Sequence, residues 1–220
     1  MIDPDRPLLA FGGPYSNLQA TEAMLAEARR RGIAPGNIIC TGDVVAYAAN
    51  PEETAQLIRG SGIHVVAGNC EVQLAQEAED CGCGFEEGSA CDRLSRGWYP
   101  FALANTTAET RKWMASLPLR LDFAFAGLRV AVLHGGARQN NRFLFASETD
   151  ALEAEFALAE ADGPCDLVIA GHSVIPFIAP FSRGTWVNAG VIGMPANDGT
   201  PDGWFAVFYP SPDGVHIVLC

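Results

Sequence analysis

The amino-acid sequence predicts an α/β fold in which a parallel sheet is followed by a second, mixed sheet. Two observations lead to this prediction. The first 67 residues alternate apolar runs with amphipathic segments in the order β-α-β-α-β, which is typical of parallel strands joined by helices. In the middle of the chain, residues 119–125 and 128–133 flank the turn Ala126-Gly127 and predict an antiparallel hairpin.

Apolar runs predict the strands, and apolar residues at helical spacing between start and stop signals predict the helices. Asn17 is an expected N-cap, and Pro51 suits the first turn of the next helix. The other expected strands are residues 8–11, 37–43, 63–67, 164–170, 185–191, 204–209 and 215–219. The expected helices are residues 18–31, 52–59, 69–78, 107–117 and 150–161.

Composition limits the classes of protein to which the chain can belong. With 220 residues and 49% hydrophobic content, we expect one domain with a full core. The formal net charge of −12 opposes binding to nucleic-acid phosphates. Because neither a signal peptide nor a long apolar run is seen, we expect a cytoplasmic protein that does not contact a membrane. The oligomeric state does not follow from the sequence.

Four predicted strands each lead into a side chain that can bind a metal. These side chains are Asp43, Asn69, His134 and His172. Ligands bind outside the carboxyl ends of the strands in open α/β sheets, so the four side chains are expected to converge. Carboxylate, amide and imidazole donors together suit manganese, iron or zinc better than calcium. The alternative for each histidine is a buried structural residue.

The motifs Gly42-Asp43, Gly68-Asn69, His134-Gly135 and Gly171-His172 resemble those of the calcineurin-like metallophosphoesterases in order and spacing over nearly the whole chain. The resemblance implies a four-layer α-β-β-α sandwich, in which two mixed sheets are flanked by helices. It also implies hydrolysis of a phosphate monoester, a phosphodiester or a phosphoanhydride by a metal-activated water. The expected partner is therefore a small phosphorylated substrate.

The sequence departs from the family pattern at the residues that would hold the first of two metals. Gly13 and Tyr15 stand in place of the Asp and His of the first motif, and Val174 replaces the second His of the last motif. All four ligands of the second metal are retained. The resemblance therefore implies a single transition-metal ion, and Tyr15 is expected to be a neutral side chain that fills the first site.

Two further residues are candidates for roles in catalysis. Cys70 occupies the position of the family's catalytic His, where it could act as a general acid, a ligand or a nucleophile, or merely fill space. Arg142 lies near the proposed site in sequence and could bind a phosphate, and the alternative is an ordinary surface arginine. The alternatives to an enzyme are a non-catalytic module that binds a phosphorylated ligand and a thiol sensor centred on Cys70.

A Cys- and Gly-rich insert is expected around residues 79–100. It contains Cys81, Cys83 and Cys91, which with Cys70 place four cysteines within 22 residues. These thiols could bind zinc or an iron-sulfur cluster, remain as small buried residues, or form a redox-active or disulfide-bonded pair. The spacing lacks paired C-x2-C motifs, and a cytosolic location argues against a permanent disulfide.

Overall fold

The computed structural model describes residues 1–84, 88–196 and 198–220, without the side chains of residues 90–92 and 94. Its strands are β1 (Leu8–Phe11), β2 (Ile38–Cys40), β3 (His64–Val65), β4 (Leu121–Phe125), β5 (Leu128–Val132), β6 (Leu167–Ala170), β7 (Phe177–Pro180), β8 (Thr185–Asn188), β9 (Ala206–Ser211) and β10 (Gly214–Leu219). Its helices are α1 (Leu18–Arg30), α2 (Pro51–Gly60), α3 (Asn69–Ala75), α4 (Ala90–Ala104), α5 (Ala108–Ala115) and α6 (Thr149–Asp162), with a 3-10 turn at Pro35–Asn37.

The strands form two five-stranded mixed sheets. The first sheet has the order β10-β9-β1-β2-β3, in which β1, β2 and β3 are parallel and the terminal hairpin is antiparallel to β1. The second has the order β4-β5-β6-β8-β7, in which β5, β6 and β8 are parallel. Each sheet therefore presents the carboxyl ends of three parallel strands at one edge.

The two sheets stack face to face, because strands of both contribute apolar residues to one shared core. Leu8, Ala10, Ile39, Val132 and Ile169 are among the buried residues of the core between the sheets. A second cluster packs the outer face of the first sheet against α1 to α5, and a third packs the outer face of the second sheet against α6. The predicted four-layer α-β-β-α fold is confirmed.

The helix starts follow the expected capping chemistry. The Asn17 side chain accepts a hydrogen bond from the backbone N–H of Ala20 at 3.1 Å, and the Thr107 hydroxyl accepts one from Thr110 at 3.1 Å. Pro51 is the first residue of α2. Within the described parts of the chain, no helix is both long enough and apolar enough to cross a bilayer.

Two elements were not predicted from the sequence. Helix α4 occupies much of the expected insert, and it continues through Pro100, a residue that normally interrupts a helix. Strand β7 is a short edge strand that pairs with β8 and ends at Pro180, and its middle residue Ile178 is exposed. Proline is tolerated in edge strands because one side of the backbone needs no partner.

Candidate metal centre

The four predicted ligands lie where the carboxyl ends of the two sheets meet. Asp43 follows β2, and Asn69 follows β3 as the first residue of α3. His134 follows β5, and His172 follows β6. All four are almost completely buried, with exposed fractions between 1% for His134 and 6% for His172. Their placement agrees with the expectation from strand ends, while their role as ligands stays a prediction.

The donor atoms of these side chains surround the Nε2 atom of His134. The Oδ1 atom of Asn69 and the Nδ1 atom of His172 each lie 3.1 Å from it, and the Oδ2 atom of Asp43 lies 3.3 Å from it. Two donors that each lie about 2.1 Å from one ion are roughly 3.0–3.4 Å apart for angles between octahedral and tetrahedral. The spacing therefore fits one shared metal ion.

The backbone fixes the tautomer of His134. Its Nδ1 atom lies 2.6 Å from the carbonyl oxygen of Thr41, which can only accept a hydrogen bond, so Nδ1 carries a proton. In the neutral ring, Nε2 then presents a lone pair toward the side-chain oxygens of Asp43 and Asn69, which can only accept, and toward Nδ1 of His172. Such a cluster of buried acceptors needs a cation at its centre, and a metal ion would satisfy it.

Without a metal, the pKa values of these side chains shift in different directions. Burial acts to raise the pKa of Asp43, but the positive charge of His134 outweighs it and lowers that pKa to about 2. Burial acts against the imidazolium of His134, yet the charge of Asp43 and hydrogen bonds raise its pKa above the usual value. Burial and the charge of His134 lower the pKa of His172 to about 4. A proton on His134 thus takes the place of the cation.

Glu71 holds the turn that presents Asp43. Its carboxylate accepts hydrogen bonds from the backbone N–H groups of Asp43 at 2.8 Å, Val44 at 2.8 Å and Gly68 at 2.9 Å. Asp43 itself has a left-handed backbone conformation with φ of 56°, which costs on the order of 1–3 kcal/mol and needs such support. A Cβ atom on Gly68 would lie 2.3 Å from Oδ1 of Asp43, so the close approach requires glycine.

Cys70 is adjacent to the site but hidden from solvent, with 1% of its surface exposed. Its backbone N–H donates to Oδ1 of Asp43 at 3.3 Å. Burial, and then the charges of Asp43 and Glu71, raise the pKa of the thiol well above its usual value. The side chain is therefore a neutral thiol and a weak proton donor. Its expected catalytic role stays a prediction.

Tyr15 fills the space beside Gly13. A Cβ atom built on Gly13 would lie 2.6 Å from the Cε2 and Cζ atoms of the Tyr15 ring, and Gly13 has φ of +46°. Burial and the charge of Asp43 raise the pKa of Tyr15 well above its usual value, so the phenol is neutral. Val174, the third substituted position, packs against the same apolar cluster. These three residues present no charged donor to a metal.

Arg142 is engaged by a carboxylate. Its Nη1 atom lies 2.7 Å from Oε1 of Glu155, which is buried and whose other oxygen accepts a hydrogen bond from the N–H of Ala137 at 2.7 Å. The Arg142 side chain is 41% exposed, so part of it faces solvent. A phosphate would share Arg142 with Glu155. Its expected role in substrate binding stays a prediction.

The structure forms a disulfide between Cys81 and Cys83, contrary to the expectation from a cytosolic location. The two residues are adjacent across Gly82, so only a local turn is needed to bring their sulfurs together. In this state neither sulfur is available as a thiolate ligand for zinc or an iron-sulfur cluster. The side chain of Cys91 lies outside the described part of the chain.

Sequence reasoning missed three groups that support the ligands. The Thr41 carbonyl orients His134, Glu71 holds the Asp43 turn, and the Cys81–Cys83 turn accepts hydrogen bonds from the Asn69 amide. Glu71 had a detectable signal, because it stands three residues after Gly68 at the start of α3, the spacing of a capping box. The other two contacts join distant parts of the chain and leave no local pattern.

The chain has a relative among curated proteins. A chain of unknown function from Methanocaldococcus jannaschii, described as an uncharacterized protein, is 32% identical over 167 residues. The match covers 74% of this chain and 60% of that protein, so the chain spans about three fifths of the length of this curated relative.

Solved structures show the same fold. The crystal structure of a metallophosphoesterase from Sphaerobacter thermophilus has a TM-score of 0.72 at 21% identity, covering 97% of this chain and 87% of that chain. A hypothetical protein from Pyrococcus horikoshii OT3 has a TM-score of 0.75 at 18% identity, covering 96% and 86%. The family model described as the calcineurin-like phosphoesterase superfamily domain matches residues 16–209. The chain therefore belongs to the calcineurin-like phosphoesterase superfamily.

Proposed function

We propose that this protein is a metal-dependent phosphoesterase that hydrolyses a phosphate monoester, a phosphodiester or a phosphoanhydride at a site for one metal ion. The proposal rests on one observation above all. Three donor atoms, from Asp43, Asn69 and His172, lie 3.1–3.3 Å from Nε2 of His134 in a buried site. Two oxygen and two nitrogen donors suit Mn, Fe or Zn.

The residues of the site would each have a defined part. Asp43 supplies the negative charge, His134 is oriented by the Thr41 carbonyl, and Asn69 and His172 complete the donor set. A transition metal held there supplies Lewis acidity toward a phosphoryl oxygen and lowers the pKa of water. Burial of the donors excludes bulk water, which strengthens every electrostatic interaction with the substrate.

A single ion is favoured by the side chains at the position of the family's first metal. The neutral Tyr15 ring occupies the space into which a side chain at residue 13 would point. Hydrolysis would then lack the clamp that two metals place on the attacking and leaving oxygens. We therefore expect slower turnover than a two-metal site would support.

The substrate class and the proton donor belong to the same proposal. We propose a small phosphorylated substrate, because the net charge of −12 opposes binding to a nucleic acid. Arg142, whose side chain is partly exposed, would donate a hydrogen bond to a phosphate oxygen. Cys70 is a weak donor at neutral pH, so the leaving group would need to be one that departs readily, such as an aryl oxygen.

The test is hydrolysis of an aryl phosphate monoester and an aryl phosphodiester by metal-depleted protein to which Mn²⁺ is returned. We expect Mn²⁺-dependent release of the phenol by the wild-type protein and none by an Asp43→Asn variant that has the same circular dichroism. Hydrolysis that Asp43→Asn leaves unchanged would contradict the proposed site. Elemental analysis of the wild-type protein after the return of Mn²⁺ should give one ion per chain.

A second candidate is a module that binds a phosphorylated ligand without turnover. The observation that favours it is the burial of all four donors, of which His172 is the most exposed at 6%. Metal binding without hydrolysis of either ester would support this alternative. The thiol sensor centred on Cys70 has less support, because its buried thiol has a raised pKa, whereas reactive thiols are exposed and have low pKa values.

A further inference from the structure

The Asn69 side chain is held from both ends of its amide. Its Oδ1 atom faces Nε2 of His134 at 3.1 Å. Its Nδ2 atom donates to the carbonyl oxygen of Cys81 at 2.9 Å and contacts the sulfur of Cys83 at 3.4 Å and that of Cys70 at 3.6 Å. Because an amide can be turned end for end, these contacts decide which end faces the metal site. Only the oxygen can serve as a ligand.

The two shorter contacts with Nδ2 come from the turn that the disulfide closes. Cys81 and Cys83 are bonded to each other across Gly82, whose φ of +59° favours glycine. The Gly82 carbonyl accepts a hydrogen bond from the Asn141 side chain at 2.9 Å, which ties the turn to the loop after His134. The disulfide therefore sets the position of the Cys83 sulfur next to the Asn69 amide.

The disulfide is also the wall of a cavity. A cavity of about 670 Å³ is lined by Cys81, Gly82 and Cys83 together with the exposed residues Glu79 and Asp80. The two cysteines are themselves 3% and 5% exposed. Because Glu79 and Asp80 are exposed, this part of the lining faces solvent, and the cavity has room for a small thiol compound. A reductant could thus approach the sulfurs without passing through the metal site.

We infer that the Cys81–Cys83 disulfide is a redox-sensitive positioning element for the metal centre, and that a small dithiol entering this cavity reduces it and weakens metal binding through Asn69. The inference rests on the proposed metal site. In the disulfide state, Asn69 keeps its Oδ1 atom toward the metal site. In the dithiol state, the amide would no longer be held in this orientation. Supporting groups of this kind typically change metal affinity by about 10–100-fold.

The chemistry is thiol–disulfide exchange. A thiolate of the dithiol bonds to one sulfur of the pair and breaks the Cys81–Cys83 bond, and the released cysteine takes up a proton. The second thiol of the reductant then displaces the other cysteine from the mixed disulfide. The dithiol leaves oxidised as a cyclic disulfide, and Cys81 and Cys83 remain as two thiols. Without its bond to Cys81, the Cys83 side chain can rotate away from Asn69.

The test is calorimetric titration of Mn²⁺ into metal-depleted protein in the oxidised and reduced states. Mn²⁺ is used because it prefers oxygen and nitrogen donors, so that newly formed thiols do not themselves bind it. Reduction is carried out with a water-soluble phosphine, which is removed under argon, and a thiol assay should find two additional thiols per chain. We expect the Kd for Mn²⁺ to rise about tenfold on reduction and to recover on reoxidation.

Matched variants separate the disulfide from the other cysteines. The double variant Cys81→Ala/Cys83→Ala should bind Mn²⁺ with the weaker affinity whether or not it has been treated with phosphine. A Cys165→Ala variant, changed in the core behind the second sheet, should retain the full tenfold response. Equal Kd values for the two states of the wild-type protein would overturn the inference alone. Failure of the oxidised protein to bind Mn²⁺ or Zn²⁺ would overturn the proposed metal site as well.

Discussion

The Nε2 atom of His134 and the Nδ1 atom of His172 face each other at 3.1 Å in the buried site between the two sheets. Thr41 fixes the proton of His134 on its other nitrogen. The two rings respond oppositely to this arrangement: the pKa of His134 is raised with the help of Asp43, while burial and His134 lower that of His172 to about 4. Each neutral ring carries one proton, so near neutral pH the pair takes up at most one more, and a metal ion bound between the facing nitrogens would displace it.

We predict that removal of one donor strongly weakens metal binding. Asp43→Asn and His134→Gln should each raise the Kd for Mn²⁺ by more than about 100-fold, since even loss of a group that merely supports a ligand costs about 10–100-fold. Isothermal titration calorimetry measures the change. The matched control is His216→Gln, which alters an exposed histidine of β10 and should leave the Kd unchanged. A wild-type Kd in either site variant would contradict the assignment of that ligand.

A second prediction concerns the number of metal ions. The triple variant Gly13→Asp/Tyr15→His/Val174→His introduces the residue types that the resemblance assigns to the first site, and it should bind two ions per chain where the wild-type protein binds one. Elemental analysis of both proteins after saturation with Mn²⁺ gives the counts. The variant should also hydrolyse an aryl phosphate faster, because a second cation can hold the other reacting oxygen.

The single variant Gly13→Asp is the control for this experiment. Its new side chain would meet the Tyr15 ring at 2.6 Å, so it should lower the free energy of unfolding by about 1–3 kcal/mol without adding an ion. Two ions in the wild-type protein would show that the departures at residues 13, 15 and 174 do not abolish the first site.

The sequence was enough to predict which side chains meet, because the carboxyl ends of parallel strands share one edge. Asp43 and His134 are 91 residues apart, yet each lies shortly after the end of a strand with a clear apolar pattern. The sequence did not predict the support around them. The bond from Asn69 to Cys81 depends on the path of the turn between α3 and α4, and no periodicity describes that path.

The pairing of Arg142 is another contact that the sequence did not predict. Its nearness to the site in sequence was visible, but its pairing with Glu155 requires the loop after β5 to pack against α6. Helix α4 was missed for another reason, since Gly97 and Pro100 are residues that usually weaken or end a helix. Here tertiary packing of Trp98, Tyr99 and Ala102 against the first sheet's core overrides local propensity.

We predict that Arg142 has separable effects on phosphate binding and on stability. Arg142→Ala should weaken inhibition by inorganic phosphate about tenfold, the equivalent of one charge-assisted hydrogen bond of roughly 1.4 kcal/mol. It should also lower the free energy of unfolding by about 1–2 kcal/mol, because buried Glu155 loses a partner that is half exposed.

The double variant Arg142→Ala/Glu155→Gln distinguishes the two effects. It removes the unpaired charge, so it should regain most of the lost stability in urea unfolding while phosphate inhibition stays weak. Phosphate inhibition equal to that of the wild-type protein in Arg142→Ala would exclude a role in substrate binding, whatever the change in stability.

The last prediction is a pH dependence of stability in the metal-free protein. The pKa of His172 is about 4 in the fold and about 6.5 in an unfolded chain. Above pH 6.5 the ring is neutral in both states, so its contribution to stability is fully present. As the pH falls from 6.5 to 4, the unfolded state takes up a proton that the folded state refuses, and stability is lost.

The pKa difference corresponds to a loss of roughly 3 kcal/mol over this range. Urea unfolding with a chelator present, at pH 7, 5.5 and 4, measures this loss of unfolding free energy in the wild-type protein and in His172→Asn. The Asn side chain takes up no proton in this pH range. The wild-type protein should lose about 3 kcal/mol more than the variant, and His216→Asn should behave like the wild-type protein. Parallel curves for the wild-type protein and His172→Asn would mean that His172 does not remain neutral in the folded site.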